Sequence, residues 1–177
     1  NTTSGPIVIE GIAGAATRPV ITFNNTGQSF TLSSTAFITL QGFDFYNSTA
    51  NGDVACNNTG TNVVIRSMRI GNSANTYTNS AVATSANNTT IENCHLQYAA
   101  TGIIVSGGGG ARIRANLIQN CTTGISITTT SGRPSTNVSD NIIRSNSGAG
   151  ISLATTANAT VNEGPIKIER NTIHANG

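Results

Sequence analysis

The sequence predicts an all-β fold: a right-handed parallel β-helix of about six or seven coils, each of 22–30 residues, with no substantial helix. Three observations predict it. A six-residue segment recurs six times, a second apolar pair follows it in the later units, and the composition is poor in charge but rich in Ile, Val and Thr.

The recurring segments are Leu40-Gln41-Gly42-Phe43-Asp44-Phe45, Ile65-Arg66-Ser67-Met68-Arg69-Ile70, Ile91-Glu92-Asn93-Cys94-His95-Leu96, Ile113-Arg114-Ala115-Asn116-Leu117-Ile118, Val138-Ser139-Asp140-Asn141-Ile142-Ile143 and Ile168-Glu169-Arg170-Asn171-Thr172-Ile173. Their first residues lie 25, 26, 22, 25 and 30 apart. The first and sixth residues are always apolar. The fourth is Phe, Met or Cys early and Asn in the last three units.

The second apolar pair reads Gly102-Ile103-Ile104-Val105, Gly124-Ile125-Ser126-Ile127 and Gly150-Ile151-Ser152-Leu153. Each unit therefore holds two or three short strands with period-two alternation, separated by Gly, Asn or Ser turns. Such a unit cannot bury its own apolar face, and stacking copies about 4.8 Å apart buries a continuous core. A sandwich would not require the same phasing in successive units. The chain reads as one domain, 1–177, with less regular coils over 1–37 and regular repeats over 38–177. In the first part Ile7/Ile9, Val20/Phe23 and Phe30/Leu32 read as early strands.

Composition narrows the setting. Of 177 residues, 37% are hydrophobic and 9% charged, against a usual charged share of about 25%. Net charge is +2 and the only lysine is Lys167, so no basic run marks a nucleic-acid or anionic-membrane partner. No apolar stretch approaches the roughly 20 residues of a membrane span. Polar composition and scarce lysine point to an extracellular or cell-surface setting. Asn-x-Ser/Thr sequons stand at Asn1, Asn24, Asn47, Asn57, Asn87, Asn88, Asn120, Asn137 and Asn158, as candidate glycan acceptors. An Asn- and Thr-rich chain also makes such triplets by chance.

The rung "I-x-x-N-x-I", as in Ile113–Ile118 and Ile168–Ile173, resembles the parallel β-helix repeat of the pectate lyase-like superfamily. The opening Pro6-Ile7-Val8-Ile9-Glu10-Gly11, followed by Pro19-Val20-Ile21, is similar to that family's first coils. The resemblance covers nearly the whole chain. It implies the fold and leaves function open, because that fold serves lyases, hydrolases, adhesins and phage spikes. It also implies that Asn116, Asn141 and Asn171 form an inward amide ladder, each side chain bonding its neighbours above and below.

The other columns follow from phase. The second-position column runs Gln41, Arg66, Glu92, Arg114, Ser139, Glu169 and is expected to face outward, with Arg66, Glu92 and Arg114 pairing between coils. The fifth-position column begins Asp44, Arg69, His95. The column before the first rung position, Thr39, Val64, Thr90, Arg112, Asn137, Lys167, is too irregular for a flat threonine array that binds ice. Cys94 takes a core position as a small apolar thiol. Cys121 sits five phases further round, so a Cys94–Cys121 disulfide is disfavoured, and Cys56 has no assigned phase. No zinc pattern is present. Gly107-Gly108-Gly109-Gly110 is a turn and not a phosphate loop, since neither Lys-Ser/Thr nor a helix follows.

Two function classes remain. Lyases of the resembled superfamily use a basic residue and often acid-bound calcium, and its hydrolases use clustered aspartates. For a carbohydrate-active enzyme or a fragment of one, the candidate residues here are Asp44, Arg69 and His95, flanked by Arg66, Glu92 and Arg114; otherwise they form a solvated ladder of paired charges. No cofactor is implied. The favoured reading is an extracellular structural or adhesive module. No capping helix is visible at either end, so the chain is read as part of a longer protein or as a unit whose ends self-associate into a filament. Glycans are a further partner class, although Tyr46, Tyr77 and Tyr98 are the only tyrosines and Trp is absent.

Overall fold

A computed structural model describes residues 6–12, 17–23, 29–33, 37–47, 52–73, 77–107, 109–129, 135–155 and 165–177. Among these the secondary structure is strand and turn, arranged as three parallel sheets. The first sheet stacks Ile7–Glu10, Ile38–Gln41, Val63–Arg66, Thr90–Glu92, Arg112–Arg114, Asn137–Ser139 and Lys167–Glu169. The second stacks Val20–Phe23, Asp44–Asn47, Arg69–Ile70, His95–Gln97, Leu117–Gln119, Ile142–Arg144 and Thr172–His174. The third has six strands, from Phe30–Leu32 through Gly52–Asn58, Tyr77–Thr84, Ala99–Ser106 and Thr123–Thr129 to Ile151–Thr155.

Register confirms the columns. Ile9, Leu40, Ile65, Ile91, Ile113, Val138 and Ile168 are successive partners in the first sheet. From Leu40 to Val138 this column is fully buried. Ile21, Phe45, Ile70, Leu96, Ile118, Ile143 and Ile173 do the same in the second sheet. Phe30, Cys56, Val82, Ile103, Ile125 and Ile151 line the third. Cys56, which the phasing left unplaced, thus belongs to the core.

A repeat this short needs a sharp corner between the first and second sheets. The third residue of each rung makes it with a left-handed backbone: φ is +80° at Gly42 and between +53° and +58° at Ser67, Asn93, Ala115, Asp140 and Arg170. A second corner uses Tyr98, Asn120, Ser145 and Ala175 in the same way. Side chains other than Gly and Asn rarely adopt this conformation, which costs about 1 kcal/mol or more each. Where the residue after the corner is Asn, its hydrogen bonds to the neighbouring coils offset that cost.

At the first corner Asn116, Asn141 and Asn171 form the expected ladder. The backbone N–H of Asn116 donates to Asn141 Oδ1 at 3.0 Å, and that of Asn141 to Asn171 Oδ1 at 3.0 Å. Each Nδ2 bonds the next Oδ1 and a rung carbonyl, Ile91 for Asn116 and Ile113 for Asn141. At the second corner Asn146 and Asn176 repeat the pattern: Asn146 N–H and Nδ2 both donate to Asn176 Oδ1, at 3.1 and 2.8 Å.

Cysteines head both ladders. Cys94 N–H donates to Asn116 Oδ1 and Cys121 N–H to Asn146 Oδ1, each at 2.9 Å. The Cys94 thiol lies 3.7 Å from the Ile65 carbonyl and 3.3 Å from that of Glu92, and it accepts from the Met68 backbone. It therefore serves the groups that an amide serves one coil later, and is more than an apolar filler. All three cysteines are free and buried.

Candidate functional site

Phase alone puts the second- and fifth-position side chains outside the core, and the structure shows what then covers some of them. Asp44, Arg69 and His95 are register partners on consecutive strands of the second sheet. Arg66, Glu92 and Arg114 are register partners on the first, across the corner. The six residues therefore occupy one stretch of the solenoid, but they are not a uniformly solvated ladder.

Asp44 is buried. Arg18, from the preceding coil, brings Nη1 within 4.0 Å of Asp44 Oδ1 and donates to the Ser67 carbonyl, while Tyr46 OH donates to Asp44 Oδ2 at 3.3 Å. Oδ1 of Asp44 has no hydrogen-bond partner. Glu92 is buried beneath Arg114, whose Nη2 and Nε stand 2.6 and 2.7 Å from its Oε2. Arg66 does not share Glu92 as expected. Its Nε donates to Gln41 Oε1 at 2.5 Å, and Gln41 in turn donates to Glu10 at 2.7 Å. Neutral Gln41 gives Arg66 a partner on the other side, so the alternating charge triplet reduces to one ion pair.

His95 sits in a row of amides. Gln119 Nε2 lies 3.1 Å from His95 Nε2 and donates to Gln97 Oε1 at 3.2 Å, while Arg144 Nε donates to Gln119 Oε1 at 3.0 Å. Burial, then the charges of Arg69 and Arg144, push the imidazole below its ordinary value of 6.5. The shift favours the neutral ring, whose Nε2 accepts from Gln119 in the tautomer protonated at Nδ1. Desolvation pushes the Cys56 and Cys94 thiols up to about 12 and Cys121 up to about 11. These are not activated nucleophiles. No group of three His, Cys, Asp or Glu residues among those described is placed to hold a metal ion.

Three hollows are formed by described residues, one of them reaching Arg114. A hollow of about 410 Å³ at the second corner is lined by Tyr77, Tyr98, Asn120, Cys121, Ser145 and Ser147, among others. Two adjoining hollows open on the outer face of the first sheet and share Arg112 and Asn137. The upper, about 280 Å³, is completed by Asn88, Gly110, Ser135, Thr136 and Lys167. The lower, about 250 Å³, adds Ile113, Arg114, Ser139, Asp140 and Arg170. Of the six charged candidates, Arg114 lines a hollow. Arg112, Asn137 and Lys167 were visible in sequence as one column, and two cations two coils apart in that column were the available signal.

The sequons separate by accessibility. Asn88 and Asn120 are exposed at left-handed turn positions, whereas Asn57, Asn87 and Asn137 are half-buried. Asn87 Oδ1 accepts from Gly109 N–H at 3.0 Å, which ties the glycine turn to the coil before it. Asn1, Asn24, Asn158 and Gly108 lie outside the described residues, as does the side chain of Asn47.

Stacked parallel strands, inward columns and corner amide ladders define a β-solenoid. Residues 20–177 match the family described as right handed beta helix region, and the chain belongs to that family. No curated protein and no solved structure gives a match.

Proposed function

We propose that this chain is an extracellular β-solenoid module with a structural or adhesive role, which stacks end to end on copies of itself into a surface fibre. The observation that carries the reading is that the same strand ladders, apolar columns and corner amides join coil to coil, so any further parallel coil extends the stack by the same contacts. Ile168, Ile173 and Leu153 are 41%, 47% and 51% exposed, while their register partners Val138, Ile143 and Ile127 are 0%, 0% and 1% exposed. Burying such side chains is worth about 25 cal/mol per Å² of apolar area.

The hydrogen-bond pattern supports the same reading. Asn141 and Asn146 each give their backbone N–H to the next coil's Oδ1. Among the described residues, the N–H groups of Asn171 and Asn176 have no such acceptor. At the other end, Ile7 is 46% exposed although its partner Ile38 is buried. A parallel coil laid on either face would complete strands, ladder and core together, and a head-to-tail contact of that kind propagates without closing. The exposed sequons Asn88 and Asn120 suit a glycan-bearing outer surface.

Light scattering across a concentration series, with negative-stain imaging, tests this. The expected result is rods that lengthen with concentration and a single-chain mass for Ile173→Lys, which sets a charge in the contact, with circular dichroism showing that the variant keeps its strands. A single-chain mass for the unaltered protein at every concentration would overturn the stacking. Degradation of a uronate polymer by that monomer, lost in Arg69→Ala or His95→Ala, would replace the structural reading with an enzymatic one.

A further inference from the structure

We propose that the upper hollow on the outer face of the first sheet binds an oxyanion between Arg112 and Lys167. The register brings together residues that the sequence separates. Arg112 pairs with Asn137, and Asn137 with Lys167, so three side chains of one outward column stand on consecutive strands. The two cations are two strand spacings apart, roughly 10 Å between Cα atoms. Their long, exposed side chains can close on an anion seated over Asn137.

Charge distinguishes this hollow from its neighbour. In the lower hollow the two cations other than the shared Arg112 are already matched: Arg114 is paired with Glu92, and Arg170 holds Asp140 through two bonds of 2.8 and 3.0 Å. Among the described residues no carboxylate lines the upper hollow, and Arg112 and Lys167 make no ion pair with any of them. Two cations beside one recess, neither paired with a described carboxylate, attract a single anion more strongly than either would alone, because that anion interacts with both fields at short range.

Asn137 is the independent observation. Its Oδ1 is buried without a hydrogen-bond partner, and it lies between the two cations. A buried amide oxygen left unpaired is unfavourable. Among the described residues no hydrogen bond fixes which end of this amide faces the recess. Turned one way, Nδ2 donates to the anion; turned the other, Oδ1 accepts from a hydroxyl that the anion's parent molecule carries. The backbone holds the floor in place: Asn137 N–H donates to the Ala111 carbonyl at 2.8 Å and Lys167 N–H to that of Thr136 at 2.9 Å. The ligand class is an oxyanion, whether a sulfate or phosphate group or a carboxylate. The site stands on the outer face and does not depend on end-to-end stacking.

The single lysine makes the test selective. Reductive ¹³C-dimethylation keeps the charge of Lys167 and gives one side-chain resonance besides the terminal amine. That resonance is followed while sodium sulfate, phosphate or acetate replaces chloride at constant ionic strength. The expected result is a saturable shift with sulfate and phosphate. Saturation by acetate as well extends the site to carboxylates, and its absence restricts the site to tetrahedral anions. Arg112→Gln should weaken binding about tenfold, the usual worth of one charge-assisted hydrogen bond. Arg112→Lys should weaken it less, and Arg144→Gln, on the second sheet, should leave it unchanged. A shift that never saturates, or a titration identical in Arg112→Gln, would overturn the site.

Discussion

Replacing Asn141 by alanine tests the claim that amides, as well as apolar columns, hold the coils together. Asn141 is 1% exposed and its side chain makes four hydrogen bonds. Oδ1 accepts from Asn116 N–H and Nδ2, each at 3.0 Å, and Nδ2 donates to Ile113 O and Asn171 Oδ1, each at 2.9 Å. At about 1 kcal/mol net for each bond, Asn141→Ala should cost roughly 4 kcal/mol, a large part of the 5–15 kcal/mol that usually separates folded from unfolded. Urea denaturation followed by far-ultraviolet circular dichroism measures it, with exposed Asn79→Ala as a control expected to stay within about 0.5 kcal/mol. Asn141→Asp separates hydrogen bonding from shape. Its carboxylate would face Ile113 O and Asn171 Oδ1, both acceptors, so its folded pKa should lie above the unfolded value of about 3.9. A raised folded pKa means stability retained at low pH and lost as pH rises through it. Asn141→Asp should therefore lie closer to the unaltered protein at about pH 4 than at about pH 7, with Asn141→Ala as the pH-matched reference. An Asn141→Ala loss below about 1 kcal/mol, or no pH dependence peculiar to the aspartate, would refute the account.

Other expectations are briefer. Native protein should react with a thiol reagent at its unfolding rate, because all three thiols are buried and raised to about 11 or 12; stoichiometric labelling without denaturant would contradict this. His95 has a lowered folded pKa, so the unfolded chain binds the extra proton: stability should fall as pH drops below 6.5, and His95→Gln should flatten that slope in denaturation midpoints. Gly124→Ala should be severely destabilising, since a Cβ there would stand 2.4 Å from Gly150 O and 2.6 Å from Ile143 Cγ2; a calorimetric midpoint within a few degrees of the parent would show that the coils yield. Cys94→Asn should be tolerated within about 1 kcal/mol, while Cys94→Val, with neither donor nor acceptor, should cost more by the same denaturation assay.

Most of the architecture was legible because a solenoid writes its interior as a period. Position one and position six of each rung face the same core at every level, so Ile65, Ile91, Ile113 and Val138 could be aligned without knowing any distance. The second ladder was equally available, since Asn141 and Asn146 repeat as Asn171 and Asn176, but the rung was read as ending at its sixth residue. Corner conformation was not legible: Ala115, Arg170 and Tyr98 have no local preference for positive φ and take it because the neighbouring coil holds the following residue. The burial of Asp44 was hidden for a different reason. It depends on Arg18, which belongs to the preceding coil and to the irregular first part of the chain. Outer-face properties of this kind come from which side chain happens to lie across a coil boundary, and no repeat encodes that.

The change in corner residue along the stack has a physical logic. At the first levels Phe43 packs on Phe45, with ring centroids 6.2 Å apart, and Phe23 and Phe30 each approach Phe45 at 5.6 Å. At the last levels the same corner is filled by amides that bond to one another. These two solutions do not meet well. An asparagine above a phenylalanine would still accept that residue's backbone N–H, as Asn116 accepts that of Cys94, but the ring below would give its oxygen no second donor, and an unpaired buried lone pair is unfavourable. A residue at the junction must pack against an apolar neighbour on one side and answer a backbone N–H and a carbonyl on the other. Cysteine does both weakly: Cys94 follows Met68 in the corner column, receives the Met68 N–H, approaches the Ile65 carbonyl and passes its own N–H to Asn116. Cys121 holds the same place between Ala99 and Asn146. That the two buried thiols occupy the same place in two separate columns argues that they are fitted to a change of interior chemistry rather than left over from a lost disulfide.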